Sequence, residues 1–305
     1  MNLKEIKTEV YMSAVLEQTP MIIQPLKAVQ PVIVAASNTA PVAKRVNMSN
    51  EDYHADKSAI SSTSLKELLR SPMHFWHSQT APRVEKEHFR FGTAIHAYLL
   101  EQDRFLQEYV VTPEKGKTKA SKEAYEEFLK AHPDCQHFVS ESEMTMILGI
   151  ADQVGNHASA SELIKLGQAE QSFFWTDEET GILCKVRTDL LCVPFAILDV
   201  KSTTNASPEA FQRDVAKFNY DLSAAMYQEG VYRVTGEKLD FAWLAVEKEA
   251  PHGVALYNAE DFLETGYKKF RRALRLLKSC RESLQYPGYQ PDGIAATLPR
   301  PGWYK

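Results

Sequence analysis

Up to about residue 50 the apolar positions follow no sustained period. Pro20, Pro25, Pro31 and Pro41 fall among Ala, Val, Gln and Ser, which predicts an arm or linker over residues 1–50. Within it, Pro31-Val-Ile-Val-Ala-Ala has the apolar content of an edge strand. Order begins near Tyr53, so 51–305 is expected to be the folded domain. Ser64-Leu65-Lys66-Glu67 fits a capping box ahead of Leu68 and Leu69. Ser71-Pro72 reads as an N-cap followed by proline at the first helical position, so two short helices follow each other. Phe91 to Glu101 predicts a third helix, with His96 four residues after Gly92, a residue small enough for close backbone approach. Tyr125 to Leu166 is helical in pattern, broken near His132-Pro133.

The period then shortens to two. Ala169 to Trp175 predicts a strand, Asp177-Glu178-Glu179-Thr180-Gly181 a turn, and Ile182 to Asp189 the returning strand. Beyond the short Val193-Pro194-Phe195 connection, Ala196-Ile197-Leu198-Asp199-Val200-Lys201 is a third strand whose unbroken apolar start marks it as central. Helices follow at Ser207-Pro208 and at Asp221, which is placed as a cap, the second helix stopping at Gly236. A strand pair is expected at Asp240–Glu247 and His252–Tyr257. The last helix carries Leu263, Tyr267, Phe270, Leu274 and Leu277 at helical spacing, and the chain after Tyr286 is rich in proline and glycine.

Composition adds limits. The chain has 305 residues, 44% hydrophobic and 25% charged, as in a soluble globular protein. Its 35 basic and 40 acidic residues leave a net charge of −5, so nucleic-acid binding would have to use local patches. Cys135, Cys184, Cys192 and Cys280 form no zinc-spaced cluster and read as reduced structural thiols. The start, Met1-Asn-Leu-Lys-Glu-Ile-Lys-Thr-Glu, lacks the apolar core of a signal peptide, and no run reaches membrane-spanning length. A cytoplasmic location without a membrane partner is expected.

The third strand brings in chemistry. Strand side chains alternate, so Asp199 and Lys201 share a face, and the hairpin sets Asp189 beside Asp199. Glu170 opens the preceding strand. An Asp-x-Lys pair by itself is usually a surface ion pair. On a central strand, however, an isolated charge is costly, and three acids at one sheet end repel one another without a cation. The set therefore suits a divalent metal and an activated water. His96 taken alone reads as a core histidine before it reads as a ligand. Gln228 and Tyr232, four apart, share a helical face that is either half-buried packing or part of a site. Lys115, Lys117 and Lys119 around Gly116, and Lys268, Arg271, Arg272 and Arg275 beside the last apolar stripe, are either DNA-backbone contacts or solvated flanks.

The ordered set Gly92-x-x-x-His96, Glu170, Asp189, Asp199-x-Lys201 and Gln228-x-x-x-Tyr232, on helix, strand, strand, strand and helix, resembles the RecB-type branch of the PD-(D/E)xK nucleases. Within that branch, Tyr53-His54-Ala55-Asp56, Ala59 to Lys66 and Arg70-Ser71-Pro72-Met73-His74-Phe75 resemble the nuclease domain of RecE-type prophage exonucleases, also called exonuclease VIII. The resemblance runs from roughly Met48 to the end; Thr188 stands where the family name has proline. It implies an α/β, restriction-endonuclease-like core, a central mixed β-sheet flanked by helices with N-terminal helical additions. It implies Mg²⁺, with Mn²⁺ able to substitute, held by Asp189 and Asp199, with the Val200 backbone carbonyl and His96 adding ligands or His96 positioning the phosphate. Lys201 would orient the attacking water and offset phosphorane charge, Glu170 would ligate or support, and Gln228 with Tyr232 would steady the site or the DNA strand. The implied activity is 5′-to-3′ digestion of linear double-stranded DNA, leaving 3′ single-stranded tails for recombination. The implied assembly is a ring-shaped homo-oligomer, a tetramer being favoured, with a single-strand annealing protein as partner. Two other readings are an endonuclease of the same superfamily and a catalytically silent DNA- or protein-binding recombination module. No iron–sulfur cluster is expected, because the cysteines form no clustered triplet near the carboxy terminus.

Overall fold

A computed structural model of the chain describes residues 42–81, 87–302 and 304. The strand candidate over 31–36 and the rest of the arm before residue 42 lie outside the described residues. Strand β1 (Ala43–Val46) falls inside the stretch read from sequence as arm, and the compact unit spans 41–305. The strand escapes a hydropathy reading because three of its four side chains are exposed and it is held by backbone pairing to residues 172–175.

Six strands form one mixed sheet, β1 followed in spatial order by β4 (Gln168–Thr176), β5 (Leu183–Cys192), β6 (Ala196–Thr203), β7 (Asp240–Glu247) and β8 (Val254–Asn258). Only β6 and β7 run parallel within it, joined through helices α9 (Pro208–Lys217) and α10 (Tyr220–Thr235), as a parallel connection requires. Strand β6 is central, as its continuous apolar start predicts: Ala196 to Val200 are buried on both faces. A separate two-stranded parallel sheet pairs β2 (Tyr109–Thr112) with β3 (His137–Ser140). These four-residue strands are too short to show a period, and β3 lies in a stretch read from sequence as helix.

Helices cover both faces. On one side α2 (Ser62–Arg70), α3 (Pro72–Thr80), α9, α10 and α11 (Glu260–Ser283) enclose a core that includes Leu65, Trp175, Ile197, Phe241 and Phe270. On the other, α4 (Glu87–Leu100), α5 (Gln102–Glu108), α7 (Glu141–Asn156) and α8 (Ala158–Leu166) pack Ile95, Phe105, Ile147 and Ile150 against Leu198 and Val200. Helices α1 (Asn50–Ala55) and α6 (Lys119–Ala131) complete the described helices. Among the described residues no helix is long and apolar enough to cross a membrane.

Local chemistry sets the boundaries. Ser71 accepts a hydrogen bond from the His74 amide ahead of Pro72, as expected for α3. Helix α2 starts earlier than the Ser64 box implies: Ser61 is its N-cap and accepts from the Ser64 amide. Asp221 is likewise not a cap. Asn219, in the left-handed region at φ 50°, begins α10, and Asp221 is buried in the first turn against Lys269. Gly236, at φ 77°, ends that helix as expected. On α11 the buried stripe passes through Gly266, not Tyr267, which is 45% exposed. A Cβ at Gly266 would lie 2.1 Å from the Asp221 carbonyl oxygen, so glycine there lets α11 touch the backbone of α10.

Candidate active site

Between Leu190–Leu198 and the upper ends of β5 and β6 the ladder stops, and the acids emerge in the gap. Asp189 immediately precedes Leu190, the first β5 residue paired with β6, and its Oδ2 accepts the Val200 amide at 2.8 Å, so a carboxylate replaces the missing strand partner. Opposite it on β4, Glu170 sits at φ 54° between the paired residues Ala169 and Gln171. That left-handed conformation is unfavourable for a β-substituted residue and marks a strained point in the strand. Arg187 ion-pairs with Glu170 and also donates to the Met48 carbonyl and Ser172 Oγ at 3.0 Å each, tying the segment before α1 to the sheet.

From the other side α4 delivers His96, whose Nδ1 lies 3.5 Å from Asp189 Oδ2. Gly92, one turn earlier, is not a close-approach glycine: an added Cβ would meet Ser202 Oγ at an ordinary 3.8 Å. One ligand atom each from His96, Glu170 and Asp189 lie within 4.8 Å of one another. Asp199 and Lys201 share a face of β6 and form an ion pair, and the Lys201 ammonium also donates to the Val200 carbonyl at 3.4 Å. Asp199 Oδ2 is a buried oxygen that makes this ionic contact without a well-formed hydrogen bond.

The electrostatics are those of an acid cluster short of positive charge. Burial, and then Asp199, push the Asp189 pKa up to about 7 against the opposing pull of Lys201. Burial and Asp189 raise Glu170 even though Arg187 pairs with it. Burial and the Lys201 charge lower His96, favouring a neutral imidazole with a free lone pair. Burial alone would lower Lys201, but Asp199 and Asp189 outweigh it and raise its pKa. Two carboxylates whose pKa burial and mutual repulsion raise, beside an imidazole that burial keeps from charging, are the features of a donor set that fits a hard divalent cation.

Gln228 and Tyr232 are not brought to this cluster. The Gln228 amide donates to the Leu239 carbonyl at 2.7 Å, ahead of β7, and Tyr232 is 48% exposed. The site-facing side of α10 carries Tyr220, whose ring lies 5.3 Å from Lys201 Nζ, and buried Tyr227, whose pKa is raised by burial and then by Tyr53 and by Asp199 and Asp189. These two are seven apart, the spacing of two helical turns, which is the sequence signal for a shared face. Lys66 on α2 also reaches Tyr220.

The basic flanks divide. Arg271 is almost buried and bound to Asp177 and Glu179, so it is structural. Arg275 pairs with Glu179, Lys268 with Glu264 and Lys119 with Glu123. Lys115 lies 5.3 Å from the Tyr125 ring, while Lys117 and Arg272 are exposed cations. A cleft of about 410 Å³ opens beside Glu170, lined among others by Asn47, Asn50, Glu101, Arg104 and Arg187.

Residues 61–294, well over half of the chain, match the model of a PDDEXK-like domain of unknown function, DUF3799. A crystal structure of a candidate exonuclease from Eubacterium rectale has the same fold at 15% identity and a TM-score of 0.56, covering 84% of this chain and 97% of that one. No curated protein matches the sequence.

Proposed function

Because this chain belongs to the DUF3799 family of PDDEXK-like domains, and so to the PD-(D/E)xK nuclease superfamily, we propose that it is a Mg²⁺-dependent exodeoxyribonuclease acting on linear double-stranded DNA. The observation that carries the reading is the convergence of His96, Glu170 and Asp189 within 4.8 Å, beside the Asp199–Lys201 ion pair. A divalent ion held by His96, Glu170 and Asp189, with Asp199 and the Val200 carbonyl alongside, would supply Lewis-acid polarisation of a phosphoryl oxygen. The protein's own groups account for the rest. The Asp199 carboxylate fixes the Lys201 ammonium, which orients the attacking water and offsets negative charge as the water oxygen bonds to phosphorus and the bond to the sugar oxygen breaks. Val200, through its amide, aims the Asp189 carboxylate, and Arg187 aims Glu170. The Tyr220 ring limits where the Lys201 side chain can go.

Digestion from the 5′ end, a 3′ single-stranded product handed to an annealing protein, and a homo-oligomeric ring belong to the same proposal and are supported by the likeness of residues 53–75 to RecE-type exonucleases. The test is digestion of end-labelled linear duplex in Mg²⁺ or EDTA, with covalently closed circular DNA in parallel. The proposal expects Mg²⁺-dependent loss of label from the linear duplex and an intact circle. Equal loss in EDTA, or cutting of the circle, contradicts it.

A further inference from the structure

The cations around the site are nearly all committed. Lys185 donates to the Tyr53 and Asp56 carbonyls, Arg187 pairs with Glu170, Lys201 with Asp199, and Lys269 with Asp221. Lys66, on α2, is half-buried and forms no ion pair among the described residues. Its Nζ lies 5.3 Å from the centre of the Tyr220 ring, and Lys201 Nζ lies at the same 5.3 Å from that ring. Two ammonium groups therefore share one phenol beside Asp199, no more than twice that distance apart.

Like charges held so close oppose each other, and the acids within reach are taken: Asp199 by Lys201 and Asp221 by Lys269. Burial, and then Lys201, draw the Lys66 pKa down to about 8, and Asp199 and Asp221 offset only part of that. The Tyr220 ring face offsets only part of that cost. An anion arriving from solvent would relieve the rest.

We propose that Lys66 is a phosphate-binding residue, its ammonium taking a non-bridging oxygen of the phosphate next to the one hydrolysed at Lys201. The inference rests on the nuclease reading of the site, because that reaction brings a polyanionic strand to Lys201. Neighbouring phosphates on one strand lie close enough together for two ammonium groups that flank a single ring to meet one each. Contact with a phosphate that does not react is equally strong before and during hydrolysis, so it acts on KM and not on the chemical step.

The experiment is a salt series of fluorescence-anisotropy titrations with a short linear duplex in EDTA, paired with steady-state digestion in Mg²⁺. Lys66→Gln should raise Kd and KM by about tenfold, with kcat changed much less. It should also make the dependence of log affinity on log salt shallower by about one unit, while Lys66→Arg keeps the wild-type slope. Lys66→Met replaces Lys66→Gln in the same measurements if circular dichroism shows the glutamine variant unfolded. Wild-type KM and salt slope in the neutral variant overturn the inference, as does an equal loss in Lys66→Arg, which would mean that packing is the role of this side chain. A wild-type protein that neither binds nor cleaves linear duplex would instead overturn the nuclease reading itself.

Discussion

Two charged clusters lie on the same sheet and differ in their balance of charge. At the β4–β5 turn, Asp177 and Glu179 face Arg271 and Arg275, and each acid has at least one guanidinium. Burial pushes the Asp177 pKa up, but hydrogen bonds from Arg271 and Thr180 outweigh it and hold the carboxyl below its usual range. Glu179 is drawn down to about 2 by Arg275 and Arg271. At the far end of β5, Asp189, Glu170 and Asp199 have Lys201 and Arg187 between them, and Asp189 rises to about 7. Asp177 is as deeply buried as Asp199, so burial by itself does not mark the functional cluster. The imbalance of charge does, because a paired cluster stabilises the fold while an unbalanced one waits for a cation.

The largest expected effect tests the unbalanced side. Lys201→Ala and Asp199→Ala should each lower single-turnover DNA cleavage roughly 1,000-fold while circular dichroism stays native. Cleavage near the wild-type rate in either variant would remove this cluster from the chemistry. Next is the paired side: Asp177→Ala leaves the nearly buried Arg271 with only the exposed Glu179 as partner, and should cost about 1–2 kcal/mol in urea unfolding with kcat within about twofold of wild type. An unchanged midpoint would show that pairing there is incidental.

The next effect depends on pH. The folded protein holds the Asp189 proton up to about pH 7, whereas the unfolded chain releases it near the ordinary aspartate value of 3.8. The folded state thus binds more protons over this window, so the stabilisation is full below 3.8 and is lost as pH rises through about 7. In EDTA, Asp189→Asn should therefore be more stable than wild type at pH 8, by on the order of 2 kcal/mol, with no such advantage at pH 4. Thermal melts at the two pH values read this directly, and an advantage of the same size at both would contradict it. The smallest effect concerns α10: Tyr232→Phe and Gln228→Ala should leave cleavage within about twofold, since neither side chain reaches the acids.

That last prediction marks where sequence was legible and where it was not. Strand periodicity and a short hairpin are local, so Asp189, Asp199 and Lys201 could be placed together from their spacing, and the central position of β6 from its apolar run. A helix offers several faces, and which one meets the sheet depends on packing with distant residues. For α10 that choice is set by Gly266 of α11 and by Asn219 at the helix start, so the Gln228–Tyr232 face points elsewhere while Tyr220 and Tyr227 point inward. The role of Arg271 is illegible in the sequence for a related reason: its partner Asp177 is 94 residues away, and an amphipathic flank looks the same whether its charges meet DNA or a turn. The strain at Glu170 and the tie from Arg187 to Met48 likewise exist only once the strands are paired.

The most direct test of the charge-imbalance account is a crystal of the protein soaked in Mn²⁺ and measured for anomalous scattering. The account predicts a peak within coordination distance of His96, Glu170 and Asp189, and no peak at Asp177 and Glu179. A peak at the paired cluster instead, or none beside Asp189, would contradict it.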